Sequence, residues 1–72
     1  MNILDLHGIK HKDAPNKIDT FIRYNKNNLP IEIITGNSLD MQGILKKVVN
    51  IYNLNMKPKS FMNLGSYIIN DN

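Results

Sequence analysis

A short apolar run near the middle of the chain constrains the fold more than any other stretch. The segment Pro30–Thr35 reads P-I-E-I-I-T, and Gly36, Asn37 and Ser38 follow it directly. β-Branched isoleucine and threonine are typical of a buried strand, whereas a Gly-Asn-Ser sequence is typical of a sharp turn. We therefore expect an interior strand that ends in a tight loop.

The segment after this strand has a helical pattern. From about Asp40 to Leu54, apolar residues recur at helical spacing, so the loop Thr35–Leu39 joins the end of a strand to the start of a helix. In sheets with parallel strands, ligands bind outside the carboxyl ends of the strands, and a helix N-terminus offers free N–H groups to an anion. This loop is therefore the first candidate for a phosphate contact.

Length and composition limit the classes of protein to which the chain can belong. The 72 residues are enough for one small domain with a modest core, and the absence of cysteine excludes a disulfide framework or a zinc ribbon. No apolar run approaches the roughly 20 residues of a membrane span. We expect a cytoplasmic protein without a membrane partner. The net charge of +3 is compatible with nucleic-acid binding but is common among small proteins.

The N-terminal part predicts a strand and then an amphipathic helix. The strand Ile3–Leu6 places Asp5 and His7 on the same face, because residues two apart point the same way. Asp13 is a suitable N-cap, and Pro15 suits the first helical turn. The expected buried stripe of this helix consists of Ala14, Ile18, Phe21 and Ile22. Asn25, Asn27 and Asn28 are interpreted as turn formers after the helix.

The C-terminal half predicts a second helix and a hairpin. Runs at Lys59–Met62 and Ser66–Asn70 flank Asn63-Leu64-Gly65, which is typical of a turn between antiparallel strands. Gly43 in the second helix is expected to mark a close approach. The expected apolar face of that helix consists of Met41, Ile44, Leu45, Val48, Ile51 and Tyr52, and the residues expected in the core include Met41, Tyr52, Phe61 and Met62.

The order of elements is therefore β-α-β-α-β-β. It predicts an α/β two-layer sandwich in which two helices cover one face of a four-stranded mixed sheet. A strand-helix-strand unit in one sheet is almost always right-handed and makes its two strands parallel. The loops His7–Lys12 and Thr35–Leu39 should therefore open at the same end of the sheet.

Four short motifs, in this order, resemble the Small MutS-Related (Smr) domain family. They are an L-D-x-H-G strand end at Leu4–Gly8, an acidic residue and alanine at Asp13-Ala14, a T-G-x-G-like strand end at Thr35–Ser38, and a G-x-L-K pattern at Gly43–Lys46. Each motif alone is weak. Together they extend over almost the whole chain.

The resemblance implies both a fold and an activity. Smr domains are two-layer sandwiches that resemble the C-terminal domain of a bacterial translation initiation factor, and members are implicated in nicking DNA or cleaving RNA. By position, the residues tied to activity would be Asp5, His7 and Gly36, with Asn37 and Ser38 beside them. The resemblance thus predicts an endonuclease that acts on RNA or DNA.

Two departures from the family pattern support an alternative. Ser38 stands where the family has its second glycine, which matters if that glycine supplies a positive φ or a close backbone approach to phosphate. The hairpin carries only Gly65 where relatives have a longer glycine-rich loop. The alternative is a catalytically inactive module that binds nucleic acid or associates with the ribosome.

The chemistry expected at this site is phosphodiester hydrolysis. Histidine is the side chain that most often serves as general acid or base, so His7 is the candidate for this role and Asp5 would orient its ring. On RNA the 2′-OH can act as nucleophile, so a metal is not required. A single Asp is a poor magnesium ligand set, although Mg²⁺ assistance remains an alternative. Asp5 has a second interpretation as a structural carboxylate that accepts backbone N–H bonds.

The remaining candidates would contact phosphate. Gly8 and Thr35 belong to the two loops, while Lys10, Lys46 and Lys47 would add positive charge around them. A solvated helix face is the ordinary role of such lysines. A zinc site from His7 and His11 is not favoured, because that spacing needs both residues on one helix face.

Overall fold

The computed structural model describes residues 1–72. Its elements follow the predicted order and are β1 (Ile3–Asp5), α1 (Ala14–Tyr24), β2 (Ile31–Ile34), α2 (Leu39–Ile51), β3 (Asn55–Ser60) and β4 (Asn63–Asn70).

The strands form one mixed sheet in the order β1-β2-β4-β3. β1 and β2 are parallel, whereas β4 is antiparallel to both β2 and β3. The two helices pack against each other and contribute to the same buried cluster, so they cover one face of the sheet. These findings confirm the predicted fold class and the interior position of β2.

The alternation of side chains along β2 separates the core from the open face of the sheet. Ile31 and Ile33 are fully buried under the helices. Glu32 points to the other face, where Ser66 Oγ donates to its carboxylate at 2.5 Å and Lys59 Nζ pairs with it at 3.2 Å. The buried apolar cluster comprises Leu6, Ala14, Ile18, Ile22, Ile31, Ile33, Met41, Leu45, Val48, Val49, Tyr67 and Ile69.

The buried face of α2 is rotated from the predicted one. Val49 is buried, whereas Ile51 is 76% exposed. At 100° per residue, Ile51 lies about 80° round the helix from Met41, on the flank away from Val49. The helix also ends earlier than expected, because Asn53 adopts a left-handed conformation with φ 56°. No atom approaches within 4 Å of a Cβ built on Gly43, so the close approach expected there is absent.

The hairpin turn lies two residues earlier than predicted. β3 and β4 are connected by Phe61 and Met62, whose side chains are 88% and 81% exposed, so the expectation that they lie in the core was wrong. The segment Asn63–Gly65 is the start of β4 because the Gly65 carbonyl oxygen accepts hydrogen bonds from Thr35 N and Gly36 N. Because of these two hydrogen bonds, Gly65 belongs to a strand and not to a turn.

Asn25 contributes to packing as well as ending a helix. Its side chain is buried, and its Nδ2 donates to the carbonyl oxygen of Phe21 at 2.8 Å. The Asn25 Oδ1 accepts from the side chain of Asn2. The end of α1 is thereby joined to the residue that precedes β1.

Candidate functional site

The first part of the site is the turn that follows β1. Ile9 N donates to the Leu6 carbonyl oxygen at 3.1 Å, which closes a four-residue turn with His7 and Gly8 at its centre. Gly8 has φ +77°, a conformation that residues with a Cβ rarely adopt. The His-Gly sequence therefore produces a sharp turn that leaves the His7 side chain 66% exposed.

Asp5 and His7 form a hydrogen-bonded pair at this turn. The Asp5 Oδ1 accepts from the backbone N–H of His7 at 2.9 Å and lies 2.7 Å from the ring Nδ1. The geometry therefore fits both a structural and an orienting role of Asp5. The same oxygen atom accepts a hydrogen bond from the backbone of His7 and contacts its imidazole ring.

The electrostatics of the pair fix the orientation of the imidazole. The backbone N–H of His7, and then its ring, lower the pKa of Asp5 below the ordinary value of 3.8. Asp5 is therefore a carboxylate near neutral pH and can only accept, so we assign the proton to Nδ1 of His7. In the neutral ring, Nε2 then carries a free lone pair.

The Nε2 atom of His7 faces the loop after β2. A Cβ added to Gly36 would lie 3.0 Å from Nε2, and Gly36 itself has φ +68°. Both the backbone conformation and the space therefore require glycine at this position. The structure thus brings together Asp5, His7 and Gly36 at one end of the sheet, as the parallel arrangement of β1 and β2 predicts.

Gly65 lies on the other side of the Gly36 loop. A Cβ at Gly65 would lie 3.1 Å from the Gly36 carbonyl carbon and 3.2 Å from its oxygen. The Gly65 carbonyl oxygen accepts from Thr35 N at 2.9 Å and from Gly36 N at 3.0 Å, and Thr35 Oγ1 donates to the Gly36 oxygen at 2.9 Å. The loop is held between the His7 ring and the start of β4.

Ser38 caps the helix that leaves this loop. Its Oγ accepts from Met41 N at 3.1 Å, and its backbone is extended with φ −80°. A positive φ is therefore not needed where the family pattern has its second glycine. The backbone N–H groups of residues 37–40 donate no hydrogen bond within the chain. Asp40 lies in the first turn among these groups.

Gln42 belongs to the same loop environment, although sequence reasoning did not select it. Its Nε2 donates to the carbonyl oxygens of Gly36 at 3.3 Å and Leu64 at 3.1 Å. It therefore cross-links the loop to the start of β4. The available signal was its position four residues after Ser38, one helical turn along the same face.

The predicted lysines lie on different parts of the surface. Lys10 lines a groove beside α1, whereas Lys46 lines a second groove between α2 and β3. Lys47 is exposed. None of the three forms an ion pair with an acidic side chain. Lys10 and Lys46 therefore belong to different grooves.

The chain was compared with protein-family models, with characterised proteins and with solved structures, and none of the three comparisons finds a match. No helix of the structure is both long and apolar enough to cross a lipid bilayer.

Proposed function

We propose that the protein is an endonuclease of Smr type that cleaves phosphodiester bonds at the Asp5–His7 pair. The single observation that carries the proposal is the geometry of His7. Its Nδ1 is 2.7 Å from the Asp5 carboxylate, and its Nε2 faces the Gly36 loop on an exposed edge of the sheet. A buried imidazole with both nitrogens bonded could not transfer a proton to a substrate.

The proton transfer suits cleavage of RNA. His7 Nε2 accepts the proton of a ribose 2′-OH, the 2′-oxygen attacks the adjacent phosphorus, and the bond to the 5′-oxygen breaks. The leaving 5′-oxygen takes a proton from water, and the hydroxide that remains takes the proton from the His7 imidazolium, which returns to its neutral form. The other product carries a 2′,3′-cyclic phosphate. Asp5 holds the ring orientation and stabilises the imidazolium that forms, which is the usual contribution of a carboxylate behind a catalytic histidine.

The loop after β2 is proposed as the phosphate seat. The free N–H groups of residues 37–40 and the positive end of α2 attract a phosphate. Asp40 opposes this attraction because its carboxylate lies at the same helix end. The exposed lysines, Lys10, Lys46 and Lys47, then supply most of the affinity, so binding should weaken steeply with salt.

The test is a cleavage assay on labelled single-stranded RNA, single-stranded DNA of the same sequence, and supercoiled plasmid. Each substrate is incubated with and without EDTA. Wild-type protein should cut RNA in EDTA and leave a cyclic phosphate, whereas His7→Ala should not cut. His11→Ala is the matched control, since His11 is an exposed histidine outside the site and should leave cleavage unchanged.

The outcomes separate the candidate functions. Cleavage that requires divalent metal would overturn the metal-free step but keep the nuclease. Binding without cleavage, measured by gel shift at low salt, would leave the inactive nucleic-acid-binding module as the function. Absence of both binding and cleavage would exclude both candidates.

A further inference from the structure

A groove runs along α1 from the turn at Gly8 towards Tyr24. It has a volume of about 730 Å³ and opens to solvent beside the edge strand β1. The residues of α1 that line it recur at helical spacing, so one face of the helix forms a wall along its whole length. The groove therefore begins at the residue that follows His7.

The floor of the groove is apolar and its far end is aromatic. Leu4, Ile9 and Phe21 line it, and all three are half-buried and pack against the core. Tyr24 closes the far end and is 81% exposed, with no hydrogen bond from its side chain. An exposed aromatic ring beside an apolar floor is a stacking surface for a planar heterocycle.

Polar groups along the wall complement a nucleotide. Lys10 and Lys17 line the groove and are paired with no carboxylate, so both are available to phosphates. The Asp13 side chain also lines it and, although Asp13 is the N-cap residue, makes no capping hydrogen bond. The sequence predicted a cap there. The free carboxylate instead offers an acceptor to the amino group of a base.

We propose that this groove binds the nucleotides that flank the scissile phosphate, with a base stacked on Tyr24 and the backbone along Lys10 and Lys17. The substrate would then be single-stranded, because only unpaired bases can be turned into such a groove. The 2′-OH that the proposed cleavage step requires makes it RNA. The inference rests on the proposed function. It adds a binding subsite that the proposed chemistry at Asp5 and His7 does not itself require.

The test measures binding of a fluorescent hexamer of 2′-fluoro RNA, which lacks the 2′-OH nucleophile and is not cut by the proposed step. Tyr24→Ala should weaken binding by about 5- to 150-fold, the usual effect of removing one stacking ring. Phe61→Ala is the matched control, because Phe61 is an equally exposed aromatic outside the groove. Fluorescence anisotropy at constant salt concentration gives the dissociation constants of the wild-type protein and of the two variants.

A second pair of variants tests the charges. Lys17→Glu should weaken binding more than Lys57→Glu, which reverses an exposed lysine on β3 outside the groove. Amide resonances of Asn16 and Thr20, which line the groove, should shift when the hexamer is added to wild-type protein. A duplex of the same sequence should not shift them.

The results distinguish the subsite from the proposed function. If wild-type protein cleaves RNA and Tyr24→Ala binds as tightly as Phe61→Ala, the groove inference is wrong and the nuclease stands. If the hexamer binds through the groove but RNA is never cut, the subsite stands and the nuclease is wrong. Groove resonances that move only with protein concentration would mean that a second copy occupies the groove, and would overturn the inference.

Discussion

Replacing Gly36 by alanine tests the geometry of the site most directly, because Gly8 offers a matched control. Both glycines have a positive φ, +68° at Gly36 and +77° at Gly8. A Cβ at Gly8 meets no atom within 4 Å, whereas a Cβ at Gly36 would lie 3.0 Å from His7 Nε2. Both substitutions therefore strain the backbone to a similar extent, but only Gly36→Ala places a new atom against the His7 ring.

The magnitudes follow from these contacts. Alanine in the left-handed region costs about 1–2 kcal/mol, so each variant should unfold at a lower temperature, by about 4–8 °C for each kcal/mol in a domain of this size. To reach an ordinary contact of 3.4 Å, the His7 ring must move by about 0.4 Å in Gly36→Ala. The exposed ring can move, so the extra loss of stability should be small. The 2.7 Å bond to Asp5 should nevertheless lengthen.

Two measurements separate the backbone effect from the ring displacement. Thermal unfolding should give similar losses for Gly36→Ala and Gly8→Ala. The ¹⁵N and ¹H resonances of the His7 ring should change more in Gly36→Ala than in Gly8→Ala. The cleavage rate of Gly36→Ala should also fall about tenfold further, since small misplacements of a catalytic group are costly. Unchanged His7 resonances in Gly36→Ala would refute the proposed packing of Nε2 on the loop.

Three further predictions concern stability. Ser38→Ala removes the cap of α2 and should lower the free energy of unfolding by about 1 kcal/mol in urea titrations, with a loss near zero contradicting the cap. The lowered pKa of Asp5 stabilises the fold above pH 3.8 and loses this effect as the pH falls through the folded-state value, so the stability gap between wild type and Asp5→Asn should close in acid. The Tyr52 hydroxyl donates a hydrogen bond to the Asp19 carboxylate, which raises the pKa of Tyr52 above its ordinary value of 10.0. This contribution to stability is complete below pH 10 and is lost as the pH rises through the folded-state value. Tyr52→Phe should therefore show a weaker alkaline loss of stability than wild type, and an identical loss would contradict the hydrogen bond.

The order and pairing of the elements could be predicted because the relevant signals are local. The isoleucines of Pro30–Thr35 are confined to one run between a proline and a glycine, and β2 is interior as expected. The rule for parallel connections then places His7 and Gly36 at the same end of the sheet. The contact of Nε2 with Gly36 was not predicted, because it also depends on the orientation of the ring against Asp5.

The errors arose where tertiary contacts override local patterns. Asn63–Gly65 has the composition of a turn, but the Gly65 carbonyl oxygen accepts hydrogen bonds from Thr35 N and Gly36 N. The turn therefore falls at Phe61 instead. Asn25 was interpreted only as a turn former, whereas it is buried and bonded to Phe21 and Asn2. Side-chain hydrogen bonds between distant segments leave no periodic signal in a sequence.

The structure also changes what Ser38 implies for the choice between a nuclease and an inactive module. Its φ of −80° is accessible to any residue, so a serine at the position of the second glycine in the Smr pattern causes no backbone strain. The serine hydroxyl accepts a hydrogen bond from Met41 N. A glycine at this position would leave that N–H group free to donate to a phosphate. In the proposed phosphate seat, Ser38 would therefore lower the affinity for the bound ground state, while the contact between Asp5 and His7 does not involve it. Interactions with the bound ground state affect KM, whereas proton transfer affects kcat, so the proposed nuclease is expected to bind RNA weakly and still to cleave it.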